Sequence, residues 1–154
     1  MWMVIADTHD NIESLKKAIK LAKEHYVDTI FHCGDIISPF TAKLLTEFDG
    51  EIFVVAGNND GEKIMLKRIL GESFFIGPVE ITHRGKRIAL MHEPFALKSL
   101  KDIDYIFYGH THNMDIRPGK PFIVNPGEAC GYLTGKETCL LLNELNDEYK
   151  ILEL

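Results

Sequence analysis

Seven histidine, aspartate and asparagine side chains occur at the ends of apolar runs that are typical of strands. They are Asp7, His9, Asp35, Asn58, His92, His110 and His112. In an open α/β sheet, ligand sites form outside the carboxyl ends of the strands. Each residue alone has a commoner explanation as a helix cap, a turn residue or a hydrogen-bonded structural histidine. Their joint occurrence at five strand ends favours a metal site.

The donor atoms of this set are nitrogen and oxygen, without sulfur. Seven groups are too many for one tetrahedral zinc, and mixed nitrogen and oxygen donors suit Mn²⁺, Fe²⁺, Zn²⁺, Ni²⁺ or Co²⁺. Two ions about 3.5–4 Å apart that share a carboxylate would clamp the attacking and leaving oxygens of a displacement at phosphorus. Two divalent ions bring four positive charges, and Asp7 and Asp35 bring only two negative ones. Such a centre would therefore stay positive and attract phosphate.

The bulk composition limits the classes of function. A chain of 154 residues is expected to form one domain, and a formal net charge of −6 argues against stable binding to nucleic acid or to an anionic membrane. No apolar run approaches the length of a transmembrane helix, and no secretory leader is expected at the start. Cys33, Cys130 and Cys139 form no CxxC pair, so we predict buried thiols in a reducing cytoplasm.

Two kinds of pattern divide the chain. The first 70 residues repeat strand, loop and helix three times, with strands in 2–6, 28–35 and 51–56 and helices in 12–25, 38–48 and 61–70. This repeat predicts parallel strands with right-handed crossovers. Alternating apolar and polar residues then predict antiparallel hairpins, with turns at 84–86, 118–119 and 146–147. A short helix is expected near Phe95–Leu100.

Five short blocks occur in a characteristic order along the chain. They are Asp7-Thr8-His9, Gly34-Asp35, Gly57-Asn58-Asn59-Asp60, His92 and Gly109-His110-Thr111-His112. In these blocks the chain resembles the calcineurin-like metallophosphoesterases, specifically the small YfcE-like phosphodiesterase branch. The resemblance covers about the whole chain, and it implies one α/β domain over residues 1–154, a β-sandwich of mixed sheets flanked by helices. It also implies hydrolysis of phosphodiesters by attack of a metal-bridging hydroxide.

The resemblance assigns ligands to two divalent ions, with Asp35 as the bridge. The first ion would take Asp7, His9, Asp35 and His112. The second would take Asp35, Asn58, His92 and His110. As catalytic residues the resemblance marks Asp35, Asn58, Asn59 and His92. It implies Mn²⁺ or Ni²⁺, with Zn²⁺, Fe²⁺ and Co²⁺ as alternatives.

Three positions depart from the family pattern. Many members have histidine where this chain has Asn59, and an amide can donate a hydrogen bond to phosphate but has no proton to transfer at neutral pH. Glu93 stands where glycine is common, either hydrogen-bonded to a ligand histidine or facing solvent. Glu128 replaces a small polar residue after Asn125-Pro126-Gly127, which argues against a phosphate-binding role for that loop.

The predicted substrate is a small phosphodiester, with a nucleotide as one candidate. Two alternatives remain open: a phosphomonoesterase or pyrophosphatase of the same fold, and a non-catalytic interaction scaffold like the related retromer subunit. Because a scaffold is free to lose ligands and this chain has all seven, the enzyme is favoured. A homodimer is an expectation from analogy of fold alone.

Overall fold

Two β-sheets pack face to face, and three helices cover the outer face of one of them. The computed structural model describes residues 1–154. The helices are α1 (Ile12–Glu24), α2 (Pro39–Leu45) and α3 (Lys63–Leu70). The strands are β1 (Trp2–Ile5), β2 (Thr29–His32), β3 (Glu51–Val55), β4 (Phe74–Phe75), β5 (Val79–His83), β6 (Lys86–Leu90), β7 (Tyr105–Phe107), β8 (Asp115–Arg117), β9 (Phe122–Asn125), β10 (Thr138–Asn143) and β11 (Glu148–Glu153).

The first sheet has six strands in the order β11-β10-β1-β2-β3-β4. Strands β1 to β3 are parallel, as the strand, loop and helix repeat predicts, and β4, which was not predicted, runs parallel to β3. The C-terminal hairpin extends this sheet at one edge, where β10 runs antiparallel to β1 and β11 antiparallel to β10. The carboxyl ends of β1, β2 and β3 therefore lie side by side at one edge.

The second sheet has five strands in the order β5-β6-β7-β9-β8. Its central strands β6, β7 and β9 are parallel, and the outer strands β5 and β8 form the two predicted hairpins. The α/β class with two mixed sheets and flanking helices is confirmed.

Alternation along β1 explains the layers. Trp2 points between the sheets, where its ring centroid lies 5.2 Å from that of Phe31 and 5.2 Å from that of Tyr105 in the second sheet. Met3 and Ile5 point to the opposite face and pack under the helices, for example against Leu15 of α1. Because both faces are covered, the whole strand is apolar.

None of the helices has the length and apolar character needed to span a membrane.

The expected helix near Phe95–Leu100 is wrong. The segment consists of bends and a turn, and Ala96 has φ of 52°. A residue in the left-handed region interrupts a right-handed helix. Leu97 and Leu100 nevertheless pack on the outer face of the second sheet, so the apolar residues that suggested a helix cover the sheet as a loop.

Candidate metal centre

The seven side chains singled out in the sequence converge where the carboxyl ends of the two sheets meet. The first sheet contributes the loops after β1, β2 and β3, and the second contributes the loops after β6 and β7. Ligand atoms of Asp7, His9 and His112 lie within 4.8 Å of one another, as do those of Asp7, Asp35 and His92. The predicted positions are therefore brought together in space.

One group of donors surrounds the carboxylate of Asp7, which is fully buried. Its Oδ1 lies 3.7 Å from Nε2 of His112 and 3.9 Å from Nε2 of His9. The two imidazole rings face each other, with centroids 5.1 Å apart. These three ligand atoms surround one small space, which a cation can occupy.

A second group surrounds the side-chain oxygen of Asn58. This Oδ1 lies 2.8 Å from Nε2 of His92 and 2.9 Å from Nδ1 of His110. The two imidazole nitrogens are 3.3 Å apart. The loop after β3 and the loops after β6 and β7 thus contribute one donor each.

Asp35 lies between the two groups. Its Oδ2 is 3.4 Å from Nε2 of His9 and also 3.4 Å from Nε2 of His92. The same carboxylate accepts two hydrogen bonds from Asn59, at 2.9 Å from the backbone N–H and 2.7 Å from the side-chain Nδ2. Asn59 therefore orients Asp35, a role that differs from the predicted hydrogen bond to phosphate.

The hydrogen bonds at His92 fit a bound cation. Its Nδ1 lies 2.8 Å from the carbonyl oxygen of Cys33, and a carbonyl can only accept, so Nδ1 carries the hydrogen. In the neutral ring Nε2 is then an acceptor, and it faces the acceptor oxygens of Asn58 and Asp35. Nε2 of His9 is buried and has no hydrogen-bond partner. Converging acceptors and an unpartnered imidazole nitrogen are what a divalent ion satisfies.

Most of the candidate ligands have a backbone conformation that is rare for residues other than glycine. Five of the seven candidate ligands have positive φ, namely Asp7, His9, Asp35, His110 and His112. Non-glycine residues rarely adopt this region, and such strain concentrates at functional sites. Gly109 allows the close approach, because a Cβ there would lie 2.8 Å from Oδ2 of Asp7 and 2.9 Å from Cβ of Ala6.

Asp60 braces the loops that carry these residues. It is fully buried, and its carboxylate accepts hydrogen bonds from the backbone N–H groups of Gly57, Asp35 and Ile37, at 2.7, 3.1 and 2.7 Å. Asp60 does not cap α3, because the capping position is Glu62, whose side chain makes no capping hydrogen bond. Asp60 thus joins the loop after β2 to the loop after β3.

Burial and hydrogen bonding push the two site carboxylates in opposite directions. Burial raises the pKa of Asp7 to about 6, against the effect of His92 and His112. Burial also acts on Asp35, but the adjacent His92 imidazole and the hydrogen bonds from Asn59 outweigh it and hold the pKa of that carboxyl well below its usual range. Burial lowers the pKa of His9, which favours the neutral, ligating form of the imidazole.

Glu128 belongs to the site although sequence reasoning noted it only as a departure from the pattern. It is fully buried, and Oε2 lies 2.7 Å from Nδ1 of His112. Hydrogen bonds from His112 and Thr134 outweigh the effect of burial and lower the pKa of Glu128 to about 2. A lone charged residue between an apolar strand and Ala129-Cys130 was the available signal. Glu93, by contrast, is exposed and makes no hydrogen bond through its side chain.

His32, which is not among the seven candidate ligands, has hydrogen-bond partners within the protein, and the cysteines are buried as predicted. His32 is buried, where its Nδ1 accepts from the N–H of Gly34 at 3.2 Å and its Nε2 lies 3.1 Å from Oγ1 of Thr8. All three cysteines are buried and unpaired. Burial raises the pKa of the Cys130 thiol to about 12.

A cleft of about 460 Å³ opens beside Asn58 and His92. Its apolar wall includes Ile76 and Phe95, each 68% exposed. Its lining residues are Ala56, Gly57, Asn58, Lys63, Ile76, Gly77, Pro78, Met91, His92, Glu93, Pro94 and Phe95. Lys63 is half-buried and has no hydrogen bond or ion pair through its ammonium group. The cleft thus joins the candidate ligands to apolar surface and a free cation.

Comparisons with known proteins agree with this geometry. The family model for the calcineurin-like phosphoesterase superfamily domain matches residues 1–148. The phosphodiesterase MJ0936 of Methanocaldococcus jannaschii is 35% identical over 158 residues, covering 96% of this chain and 95% of the relative. A solved structure of an archaeal phosphodiesterase has a TM-score of 0.90 and 32% identity over 99% of each chain. Yfce, a phosphoesterase from E. coli, has a TM-score of 0.73 with 21% identity, over 99% of this chain and 97% of that one, which shows a shared fold.

Proposed function

The chain belongs to the calcineurin-like phosphoesterase superfamily, and on that basis we propose that it is a metal-dependent phosphoric diester hydrolase. The resemblance found in the five sequence blocks is thereby confirmed. The observation that carries the proposal is the placement of Asp35, whose Oδ2 lies 3.4 Å from an imidazole nitrogen on each side. A carboxylate between two groups of acceptors is suited to bridge two cations.

Two divalent ions fit the residues present. One would be held by the Asp7 group and the other by the Asn58 group, with Asp35 shared. The first set is Asp7, His9, Asp35 and His112. The second set is Asp35, Asn58, His92 and His110. When bound, the ions would supply a bridging hydroxide as nucleophile and neutralise charge on the phosphate. We propose Mn²⁺ or Ni²⁺, with Zn²⁺, Fe²⁺ and Co²⁺ as alternatives.

The protein's own residues orient the acceptors and keep them in the ligating form. Asn59 holds both oxygens of Asp35, and the Cys33 carbonyl holds the hydrogen of the neutral His92 ring on Nδ1. Since the Asn59 amide transfers no proton at neutral pH, we propose that the substrate's leaving group needs little protonation. Phenols and other acidic alcohols are leaving groups that meet this requirement.

The cleft beside Asn58 and His92 favours a diester over a monoester. A diester carries a second ester group, and about 460 Å³ of space lies where such a group would extend. Ile76 and Phe95 offer apolar and aromatic surface for a ring. Lys63 would contact a further negative charge on the substrate. These features fit a nucleotide-sized phosphodiester.

A matrix of metals against substrates tests the proposed function. Protein reconstituted separately with Mn²⁺, Ni²⁺, Zn²⁺, Co²⁺ and Fe²⁺ is assayed on bis-p-nitrophenyl phosphate, cyclic nucleotides, phosphomonoesters and pyrophosphate. We expect diester hydrolysis with at least one ion, lost in His110→Ala and retained in His25→Ala, a histidine beyond the far end of α1. Preference for monoesters or pyrophosphate would overturn the diesterase assignment. No turnover under any condition would favour an interaction scaffold.

A cytoplasmic location and a homodimer stay predictions.

A further inference from the structure

The carboxylate of Glu128 contacts His112 on the side away from the candidate ion. We infer that Glu128 is a positioning residue: it fixes the tautomer of His112 so that Nε2 presents a lone pair toward Asp7. The inference rests on the proposed function, because it concerns how one proposed ligand is kept in its binding form. Glu128 itself contacts neither an ion nor a substrate in this arrangement.

The two nitrogens of His112 face different partners. Nδ1 lies 2.7 Å from Oε2 of Glu128, and Nε2 lies 3.7 Å from Oδ1 of Asp7. In a neutral imidazole one nitrogen carries the hydrogen and the other is an acceptor. The partner at Nδ1 therefore decides what Nε2 presents to the site.

The surroundings of Glu128 make it an acceptor toward His112. Oε1 accepts from the N–H of Leu133 at 2.9 Å, from the hydroxyl of Thr134 at 2.7 Å and from the N–H of Thr134. Oε2 accepts from Sγ of Cys130 at 3.1 Å. Backbone N–H groups can only donate, and three donors at Oε1 leave no place there for a proton on the carboxyl. The N–H of Leu133 also lies 3.2 Å from Oε2, so both carboxylate oxygens are surrounded by donors and the ionised form is favoured. Toward an ionised carboxylate, Nδ1 of His112 is the donor.

An amide at this position would reverse the tautomer. In Glu128→Gln the side-chain oxygen is expected at the Oε1 position, because Leu133 and Thr134 present three donors to it. The NH₂ group then faces Nδ1 of His112 and donates to it. The imidazole hydrogen moves to Nε2, where it blocks an ion beside Asp7. The substitution changes one atom and leaves the shape of the buried side chain unchanged.

The test combines a measurement without metal and one with metal. In metal-free protein, at a pH where imidazoles are neutral, NMR shifts of the imidazole nitrogens report which nitrogen of His112 carries hydrogen. We expect Nδ1–H in the wild type and Nε2–H in Glu128→Gln. Calorimetric titration with Mn²⁺ should show affinity about 10- to 100-fold weaker at one of two sites, since partners of ligating histidines have effects of this size. Glu144→Gln, which alters a buried carboxylate beside Arg84, should leave the His112 tautomer and both Mn²⁺ affinities at their wild-type values.

Each outcome bears on the inference separately from the proposed function. Nε2–H on His112 in the wild type overturns the inference, and this measurement needs no variant that folds. Unchanged tautomer and unchanged Mn²⁺ affinity in a folded Glu128→Gln also overturn it. A merely structural role would lower the Tm of the metal-free variant without changing the tautomer. Failure of the wild type to bind Mn²⁺ or any other ion would instead overturn the proposed function.

Discussion

Nε2 of His9 lies 3.4 Å from Oδ2 of Asp35, and this buried nitrogen has no hydrogen-bond partner. The aspartate is equally close to Nε2 of His92 on its other side. An unpartnered buried nitrogen destabilises the metal-free fold, so the arrangement makes sense if a cation lies between these groups. Asp35 is the single residue that both proposed ion sites share.

Asp35→Asn should therefore remove both activity and metal-induced stabilisation. We expect turnover of bis-p-nitrophenyl phosphate to fall by at least about 10²–10³-fold, the scale for loss of one electrostatic group at a reaction centre. The rise in Tm that Mn²⁺ gives to the wild type should disappear, because ligand binding to the folded state is its source. Asp102→Asn, an exposed aspartate, is the control. A wild-type shift in Tm in Asp35→Asn would contradict the bridging role.

Gly109→Ala should weaken metal binding through a steric effect alone. The added Cβ would meet Oδ2 of Asp7 at 2.8 Å, closer than real Cβ atoms approach other atoms, and it would also crowd the carbonyl oxygen of Cys33 at 3.0 Å. We expect Mn²⁺ affinity to fall by about tenfold or more, the effect of disturbing a ligand's surroundings. Gly61→Ala is the matched control, since nothing lies within 4 Å of its Cβ. Equal affinities for the two variants would show that Asp7 tolerates the displacement.

Lys63→Ala should affect only substrates with an additional negative charge. Lys63 lines the cleft beside Asn58 and has no partner, so a further phosphate on the substrate would gain a charge-assisted hydrogen bond. We expect KM for such a diester to rise by about 10- to 100-fold and KM for bis-p-nitrophenyl phosphate to stay unchanged. Lys67→Ala is the control, because its Nζ already donates to the Phe74 carbonyl at 3.2 Å. A uniform change in KM for all diesters would argue against this role.

Local sequence patterns predicted the elements that carry the candidate site. Short apolar runs followed by Asp, Asn or His mark the carboxyl ends of β1, β2, β3, β6 and β7, because a parallel sheet places such ends at one edge. The three hairpin turns were also recognisable, since turn residues act locally. What the structure adds is the juxtaposition of the ends of the two sheets, which depends on face-to-face packing.

Non-local contacts account for what sequence reasoning missed. Asparagine is a common turn residue, so the sequence suggested only a turn at Asn59. The fold shows that its side-chain amide donates a hydrogen bond to Asp35. Glu128 meets His112 because β9 and β7 are neighbours in the second sheet. The helix expected near Phe95–Leu100 failed because apolar residues that cover a sheet need not follow a helical path. Partners and paths of this kind are decided by packing rather than by periodicity.

A cluster of charges remote from the site predicts how stability depends on pH. Nη1 of Arg84 lies 3.0 Å from Oδ2 of Asp28 and 3.1 Å from Oε1 of Glu144, and the amino group of Met1 lies 3.0 Å from Oδ2 of Asp28. Burial opposes the charge on Asp28, but hydrogen bonds from Arg84 and the amino terminus outweigh it and lower the pKa of this carboxyl. Burial is likewise outweighed at Glu144, where hydrogen bonds from its own backbone and from the amino terminus lower the pKa.

Glu144→Gln should therefore destabilise the protein at neutral pH and have little effect in acid. A carboxylate with a lowered folded-state pKa stabilises the fold above its ordinary value, which is 4.5 for Glu144, and this stabilisation is lost as the pH falls below that value. At neutral pH we expect a loss of about 1.5–3 kcal/mol in the free energy of unfolding, the range for hydrogen bonds to charged groups. Thermal unfolding of metal-free wild type and variant from neutral to acidic pH measures the difference, and it should shrink as the wild-type carboxylate is protonated. A difference in Tm that stays constant with pH would assign the loss to packing instead of charge.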